Sequence, residues 1–373
     1  MQSPTTKAGH SSPGSWRLPP TMRIVAGSDR LSENAVTVSS QLHQQSLERP
    51  RRPLRAPDAL VHQVTTSDGV PLRLTRYRGG SRGPVLLVHG LGVSSRIFRT
   101  DTIATNLVEF LCDRGFDVWL ADLRVSVDLP SSDLPSTADD VATKDFPALM
   151  ALVRYVTGAK QVDALVHCYG ATTFFMSVLA GLAGVRSIVA SQVAAHAVVP
   201  WRMRLEALSG FPTLLRLTGL GSVSVRPNPG DPLERMFDGA LGAMPFKRTE
   251  RCQSATCRRI TFLYGRLYQH DQLSPETHDA LPELFGRSSV RAFEQLAAMV
   301  RHGRLVTAAG RDEYLGQLDR LAMPVTFIHG ELNECYLPAS TAATHELLRA
   351  KHGDKLYERH VVPRYGHIDT PAS

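Results

Sequence analysis

Val166-His167-Cys168-Tyr169-Gly170 is the stretch that decides how this chain is read. It joins a short apolar run, Val162–Val166, to an apolar, helix-like segment near 171–183. Short continuous apolar runs of this kind are strands buried on both faces. A strand that passes abruptly into a helix turns sharply and lifts the residue at the apex above the sheet. Gly170 leaves room for such a turn, whereas Val166 stands where a second small residue is usual. The apex residue is Cys168, and the dipole of the following helix favours its thiolate. Alone, a cysteine at a strand end is a small core residue. The surrounding strands change that.

Outward from the turn, apolar runs recur. Pro84-Val85-Leu86-Leu87-Val88-His89-Gly90, Phe116–Ala121 and Arg186–Ala190 alternate with helix-like segments near 101–113, 138–157 and 171–183. This rhythm predicts a parallel sheet flanked by helices. Before it, Leu60–Thr65 and Val70–Tyr77 are β-rich, with the turn signal Ser67-Asp68-Gly69 between them. From about Ala195 to Arg320 the rhythm stops, and helical stretches appear near 275–286 and 291–300. It returns at Pro324–Gly330 and Leu356–Val362. We therefore expect one α/β domain over 58–373 with a largely helical lid inserted at about 196–320. Residues 1–57, rich in Pro, Ser, Arg and Gln, read as a disordered tail.

Three further segments complete a catalytic constellation around the turn. His89-Gly90-Leu91-Gly92 follows the first strong core strand. In acyl-transfer sites such a loop gives one backbone N–H to an oxyanion hole, and the residue after the nucleophile gives the other. These would be Leu91 and Tyr169. The base should follow the last strand, and Tyr365-Gly366-His367-Ile368-Asp369 is placed to supply His367. The third member should follow the strand ending at Gly330, where the chain reads Gly330-Glu331-Leu332-Asn333-Glu334-Cys335. Asn333 stands at the usual position, with Glu331 and Glu334 as rivals. A serine triad generates imidazolium during reaction and needs a carboxylate, whereas a cysteine–histidine pair can rest as thiolate and imidazolium beside a neutral amide.

Composition narrows the remaining classes. The formal charge is +7, but the basic residues are scattered or gathered in a tail (Arg49, Arg51, Arg52, Arg55), so no nucleic-acid partner is expected. The five cysteines form no disulfide framework. Cys252 and Cys257 make C-x₄-C, but zinc needs two more ligands at suitable spacing and none is evident, so free thiols and no metal or other cofactor are expected. No signal-peptide pattern opens the chain. The most apolar region, Met176–Ala190, is broken by Gly181, Gly184 and Arg186, so no transmembrane segment is expected. A cytoplasmic protein is the default.

The stretches Gly83–Phe98, Asp117–Pro130, Val166–His196, Thr326–Thr341 and Tyr357–Asp369 resemble the α/β-hydrolase proteins fused to, or found beside, actinobacterial GMC oxidoreductases of the cholesterol-oxidase type. The shared marks are the His167-Cys168-Tyr169-Gly170 elbow, Gly184-Val185-Arg186-Ser187 with Ser191-Gln192-Val193, and Tyr365–Asp369. The resemblance implies an α/β-hydrolase fold, catalytic roles for Cys168 and His367, and Asn333 in the family's Gly-x-x-Asn. It also implies a GMC oxidoreductase partner and a lipid- or sterol-related substrate. The chain stops six residues after His367, where such proteins continue into a closing helix. The expected function is acyl hydrolysis of a hydrophobic ester, thioester or lactone through a cysteine nucleophile. The alternatives are acyl transfer through a cysteine thioester, as in the similar elbows of polyhydroxyalkanoate synthases, and a non-catalytic partner of an oxidoreductase.

Overall fold

A computed structural model describes residues 24–26, 51–217, 219, 221–228, 230–243, 252 and 254–369. Nine strands build its central sheet. They are β1 (Ile24–Ala26), β2 (Leu60–Thr65), β3 (Pro71–Arg78), β4 (Pro84–Val88), β5 (Asp117–Asp122), β6 (Val162–His167), β7 (Val185–Ser191), β10 (Val325–Gly330) and β11 (Tyr357–Val362). Their order across the sheet is β1-β2-β3-β5-β4-β6-β7-β10-β11. From β5 across to β11 every neighbouring pair is parallel. The first three strands run antiparallel at one edge. The expected runs thus become strands within a residue or two of their predicted bounds. β4 and β5 are buried along their whole length, as the unbroken apolar run of β4 requires.

The helices cover both faces. They include α1 (Leu107–Asp113), α2 (Phe146–Thr157) and α3 (Tyr169–Ala180). The segment near 101–113 is helical only from Leu107, because Asn106 and Glu109 close a reciprocal capping box there. Between β7 and β10 lie α4 (Trp201–Leu208), α5 (Phe211–Leu217), α6 (Pro232–Ala243), α7 (Ala255–Tyr264), α8 (Pro275–Leu284) and α9 (Val290–His302). Two short strands, β8 (Ser222–Ser224) and β9 (Arg287–Ser289), pair antiparallel among them. A final helix, α10 (Ala339–His352), packs against β10 and β11.

The disordered tail needs correction at two places; the rest of it lies outside the described residues. Ile24–Ala26 adds an edge strand to β2. Residues after Arg51 are anchored by charge: Arg52 grips the buried carboxylate of Glu109 at 2.6 and 3.0 Å. That contact and the other hydrogen bonds Glu109 accepts outweigh the cost of burial and hold its carboxyl at about 2.

Parallel strands bring their C-terminal ends to one edge, where α/β sheets place their sites. β4 and β6 are neighbours, so the loop after β4 lies beside the turn after β6. β10 sits between β7 and β11, so the loops after these two strands also meet. That approach demands glycine: a Cβ on Gly330 would lie 2.1 Å from the Gly366 carbonyl oxygen.

Candidate active site

Cys168 is the apex of the turn between β6 and α3. Its backbone holds φ 55° and ψ −127°, a conformation that costs a non-glycine residue energy. Gly170 lets the turn close, since a Cβ there would lie 2.4 Å from the His89 carbonyl oxygen. Val166 is accommodated within β6 and is fully buried. The backbone N–H groups of Tyr169 and Leu91 both reach the Cys168 sulfur. The two expected oxyanion donors therefore converge on one point. Buried His89 fixes the Leu91 loop: Leu123 N–H reaches its Nε2 at 3.3 Å, and its Nδ1 lies 2.7 Å from the Gly90 carbonyl oxygen.

The sulfur faces a cavity of about 380 Å³. Its walls are overwhelmingly apolar and come from the segment between β7 and β10, through Met203, Phe262, Leu263, Phe293 and Leu296. Tyr264 and Tyr336 also line it. Their roles carry no sequence motif, because they reach the site only through the fold.

His367 lies in the loop after β11 and is 1% exposed. Its ring packs against His167, the residue before Cys168, at 5.2 Å between centroids, and against Tyr336 at 6.0 Å. Asn333 lies within reach, with Nδ2 2.9 Å from His367 Nδ1. The rivals face elsewhere. Glu331 accepts the backbone N–H of Arg364 at 3.0 Å, and Glu334 accepts the Arg266 guanidinium at 2.7 Å.

The Asn333 amide has a fixed sense. Its Oδ1 accepts the backbone N–H groups of Cys335 and Tyr336, at 2.9 and 3.0 Å. Its Nδ2 donates to Gln192 Oε1 at 3.0 Å, and Gln192 Oε1 also accepts the Gly330 N–H at 3.0 Å. The remaining Nδ2 hydrogen is therefore the one offered to His367 Nδ1. An accepting Nδ1 puts the proton of neutral His367 on Nε2. Gln192, at φ 78°, is thus a positioning residue, marked in the sequence only by the run Ser191-Gln192-Val193.

This arrangement corrects the expected resting charge. Burial pushes the Cys168 thiol up to about 11, against the smaller pull of the two N–H groups. Burial, reinforced by His167 and His329, drives His367 well below its usual range. His367 Nε2 is buried and makes no hydrogen bond among the described residues. The resting pair is a thiol and a neutral imidazole, because desolvation outweighs the helix dipole.

Residues 85–372 match the model of the Alpha/beta hydrolase family. The chain belongs to the alpha/beta hydrolase family. This α/β hydrolase is 33% identical over 125 residues to Lipase 1 of Drosophila melanogaster, covering 31% of the chain and 28% of that protein. It is 30% identical over 131 residues to Lysosomal acid lipase/cholesteryl ester hydrolase of Homo sapiens, covering 31% of the chain and 33% of that protein. The chain thus spans about a third of the length of these curated relatives. The solved structure of DcsB in complex with its substrate analogue is similar in fold, with a TM-score of 0.53 at 14% identity over 83% of this chain and 92% of that one. No helix among the described residues is long and apolar enough to cross a membrane.

One expectation about the other cysteines also changes. The spacing around Cys252 and Cys257 showed no further ligands, yet the fold brings His270 and His278 to them.

Proposed function

We propose that this α/β hydrolase cleaves hydrophobic acyl compounds through a Cys168 thioester. The observation that carries the reading is the convergence of the Leu91 and Tyr169 N–H groups on a sulfur facing an apolar cavity. In this reading the Cys168 thiol first loses its proton to solvent base. The thiolate is held by the same N–H groups and by the Nε2 proton of His367. It attacks the acyl carbonyl, and the oxyanion takes over the two backbone donors. The leaving group then departs, and water hydrolyses the thioester to release free acid.

The tautomer sets the substrate class. A neutral imidazole protonated on Nε2 is a good hydrogen-bond donor but a poor acid and no base at that atom. The site therefore suits acyl donors whose leaving group departs as a stable anion, thioesters and aryl esters ahead of alkyl esters. A lipid- or sterol-related acyl group and a GMC oxidoreductase partner belong to the same proposal. The apolar cavity, the motif resemblance and the names of the relatives support the lipid-like acyl group, and the motif resemblance supports the oxidoreductase partner.

The test is labelling with a thiol-directed acyl probe, mapping of the modified residue, and product analysis on one thioester. Label on Cys168 with free acid as product supports hydrolysis. A new ester in the presence of alcohol makes the enzyme a transferase. The missing Cys168–His367 hydrogen bond favours a second reading, a non-catalytic acyl-binding subunit. An unlabelled Cys168 with no turnover would establish it.

A further inference from the structure

Cys252, Cys257, His270 and His278 offer four ligand atoms that all lie within 4.8 Å of one another. Cys257 Sγ and His278 Nε2 are already 3.1 Å apart. In tetrahedral zinc, ligand atoms are separated by about 3.3–3.8 Å, from Zn–N of about 2.0 Å and Zn–S of about 2.3 Å. The cluster needs only a small closure to reach that geometry. Two thiolates and two imidazoles are also the donor set that selects zinc over harder cations.

The four residues come from neighbouring segments of the chain. Cys252 precedes α7, whose N-cap Ser254 accepts the Cys257 N–H at 3.3 Å. Cys257 lies in the first turn of α7, His270 in the short turn after that helix, and His278 in α8. The His270 ring sits 5.4 Å from that of His278 and 5.3 Å, edge-on, from Tyr268. Both sulfurs are at least partly buried.

We propose that these four residues bind one structural zinc ion. All four positions of the tetrahedron are filled by the protein, which leaves none for substrate. The ion ties together two elements that build the active site. α7 carries Phe262, Leu263 and Tyr264 on the cavity wall. Leu267, between the second and third ligands, accepts the backbone N–H groups of His367 and Ile368 at 2.7 and 2.8 Å. Gln269 donates its N–H to Asp369 at 3.2 Å. The metal thereby holds the segment against which the His367 loop is hung. Nothing in this inference requires Cys168 to be a nucleophile.

The experiment uses the full chain, purified without a metal-affinity tag. Elemental analysis should find one zinc per chain. After chelation under reducing conditions, Co(II) should bind with thiolate-to-cobalt charge-transfer absorption and the d–d bands of a tetrahedral site. Cys257→Ser and His278→Ala should each weaken Co(II) binding by at least about 100-fold, while Cys112→Ser binds as the parent does. Should a ligand variant fail to fold, the chelated parent still decides through its own Co(II) titration. A chain purified from zinc-supplemented culture without metal, whose reduced form takes up no Co(II), overturns the proposal. So does a Cys252–Cys257 disulfide found in the native protein in place of metal.

Discussion

Two cysteine–histidine centres stand among the described residues, and they are built on opposite principles. At the elbow, Cys168 is held by backbone strain and two N–H groups, and its sulfur makes no hydrogen bond to His367 Nε2 among the described residues. Between β7 and β10, Cys257 Sγ lies 3.1 Å from His278 Nε2, and Cys252 and His270 complete the cluster. The first centre keeps its sulfur and imidazole apart, with the sulfur open to a cavity. The second gathers its ligand atoms within reach of one another. A sulfur poised for chemistry is under-coordinated, and a sulfur that supports structure is surrounded by partners. Residue type alone does not separate the two.

The comparison breaks most severely if the elbow is inert. Cys168→Ala should lower turnover of a thioester by about 10⁶, the scale of losing a covalent nucleophile, while the protein keeps its metal and its melting temperature. A loss below about tenfold would remove Cys168 from the chemistry.

The next largest effect is on thiol reactivity. Because burial holds the Cys168 thiol at about 11, its alkylation rate should rise about tenfold per pH unit from about pH 7 to about pH 10. Cys112, also pushed up to about 11 but buried in the core, should lag at every pH. Cys252 and Cys257 should be protected until zinc is chelated. A pH-independent Cys168 rate near neutrality would restore the thiolate–imidazolium pair and contradict the tautomer argued for His367.

Much of this was legible in the sequence, for identifiable reasons. Strands such as Pro84–Val88 announce themselves because both faces are buried and no polar alternation interrupts them. Cys168, Asn333 and His367 follow β6, β10 and the exposed edge strand β11, which run parallel, so chain order places them at one sheet edge. The charge state was not legible. It depends on how deeply the loops bury His367 and on the sense of one amide, which backbone donors from Cys335 and Tyr336 dictate. The Cys252–His278 cluster was hidden for a different reason. His270 and His278 are separated by seven residues and come from a turn and a following helix, so no short spacing motif joins them to the cysteines.

Buried neutral histidines make the elbow side sensitive to acid. His167 is held down at about 3 and His329 at about 4, and burial also lowers His89 and His367. With folded values depressed, the unfolded chain binds more protons as pH falls. Stability is complete above about 6.5, the unfolded value, and declines from there down through the folded values, each histidine contributing about 1.4 kcal/mol per pH unit. Urea denaturation between about pH 7 and about pH 4.5 should show that fall. A flat profile would mean that these rings are protonated in the native state.

The smallest and most discriminating effect belongs to the amide of Asn333. In Asn333→Asp one oxygen can keep the Cys335 and Tyr336 N–H groups, and the other can accept from Nδ1–H of His367. The imidazole proton then moves to Nδ1, Nε2 becomes a base, and the rising limb of the rate profile should shift at least about one unit toward neutrality. In a serine triad the reverse change, Asp to Asn, imposes the unproductive tautomer. The gain has a structural cost here, because Gln192 Oε1 is fixed by the Gly330 N–H and would face a carboxylate oxygen instead of a donor. Placing two acceptors together should lower stability by about 1–3 kcal/mol. Gln192→Met removes the opposing oxygen at similar size. It should therefore destabilise the parent protein more than the Asn333→Asp variant, with a coupling of about 0.5–3 kcal/mol in the four-protein cycle. Additive effects, or a rate profile that Asn333→Asp leaves in place, would show that Gln192 does not read the Asn333 amide and that His367 is oriented by another group.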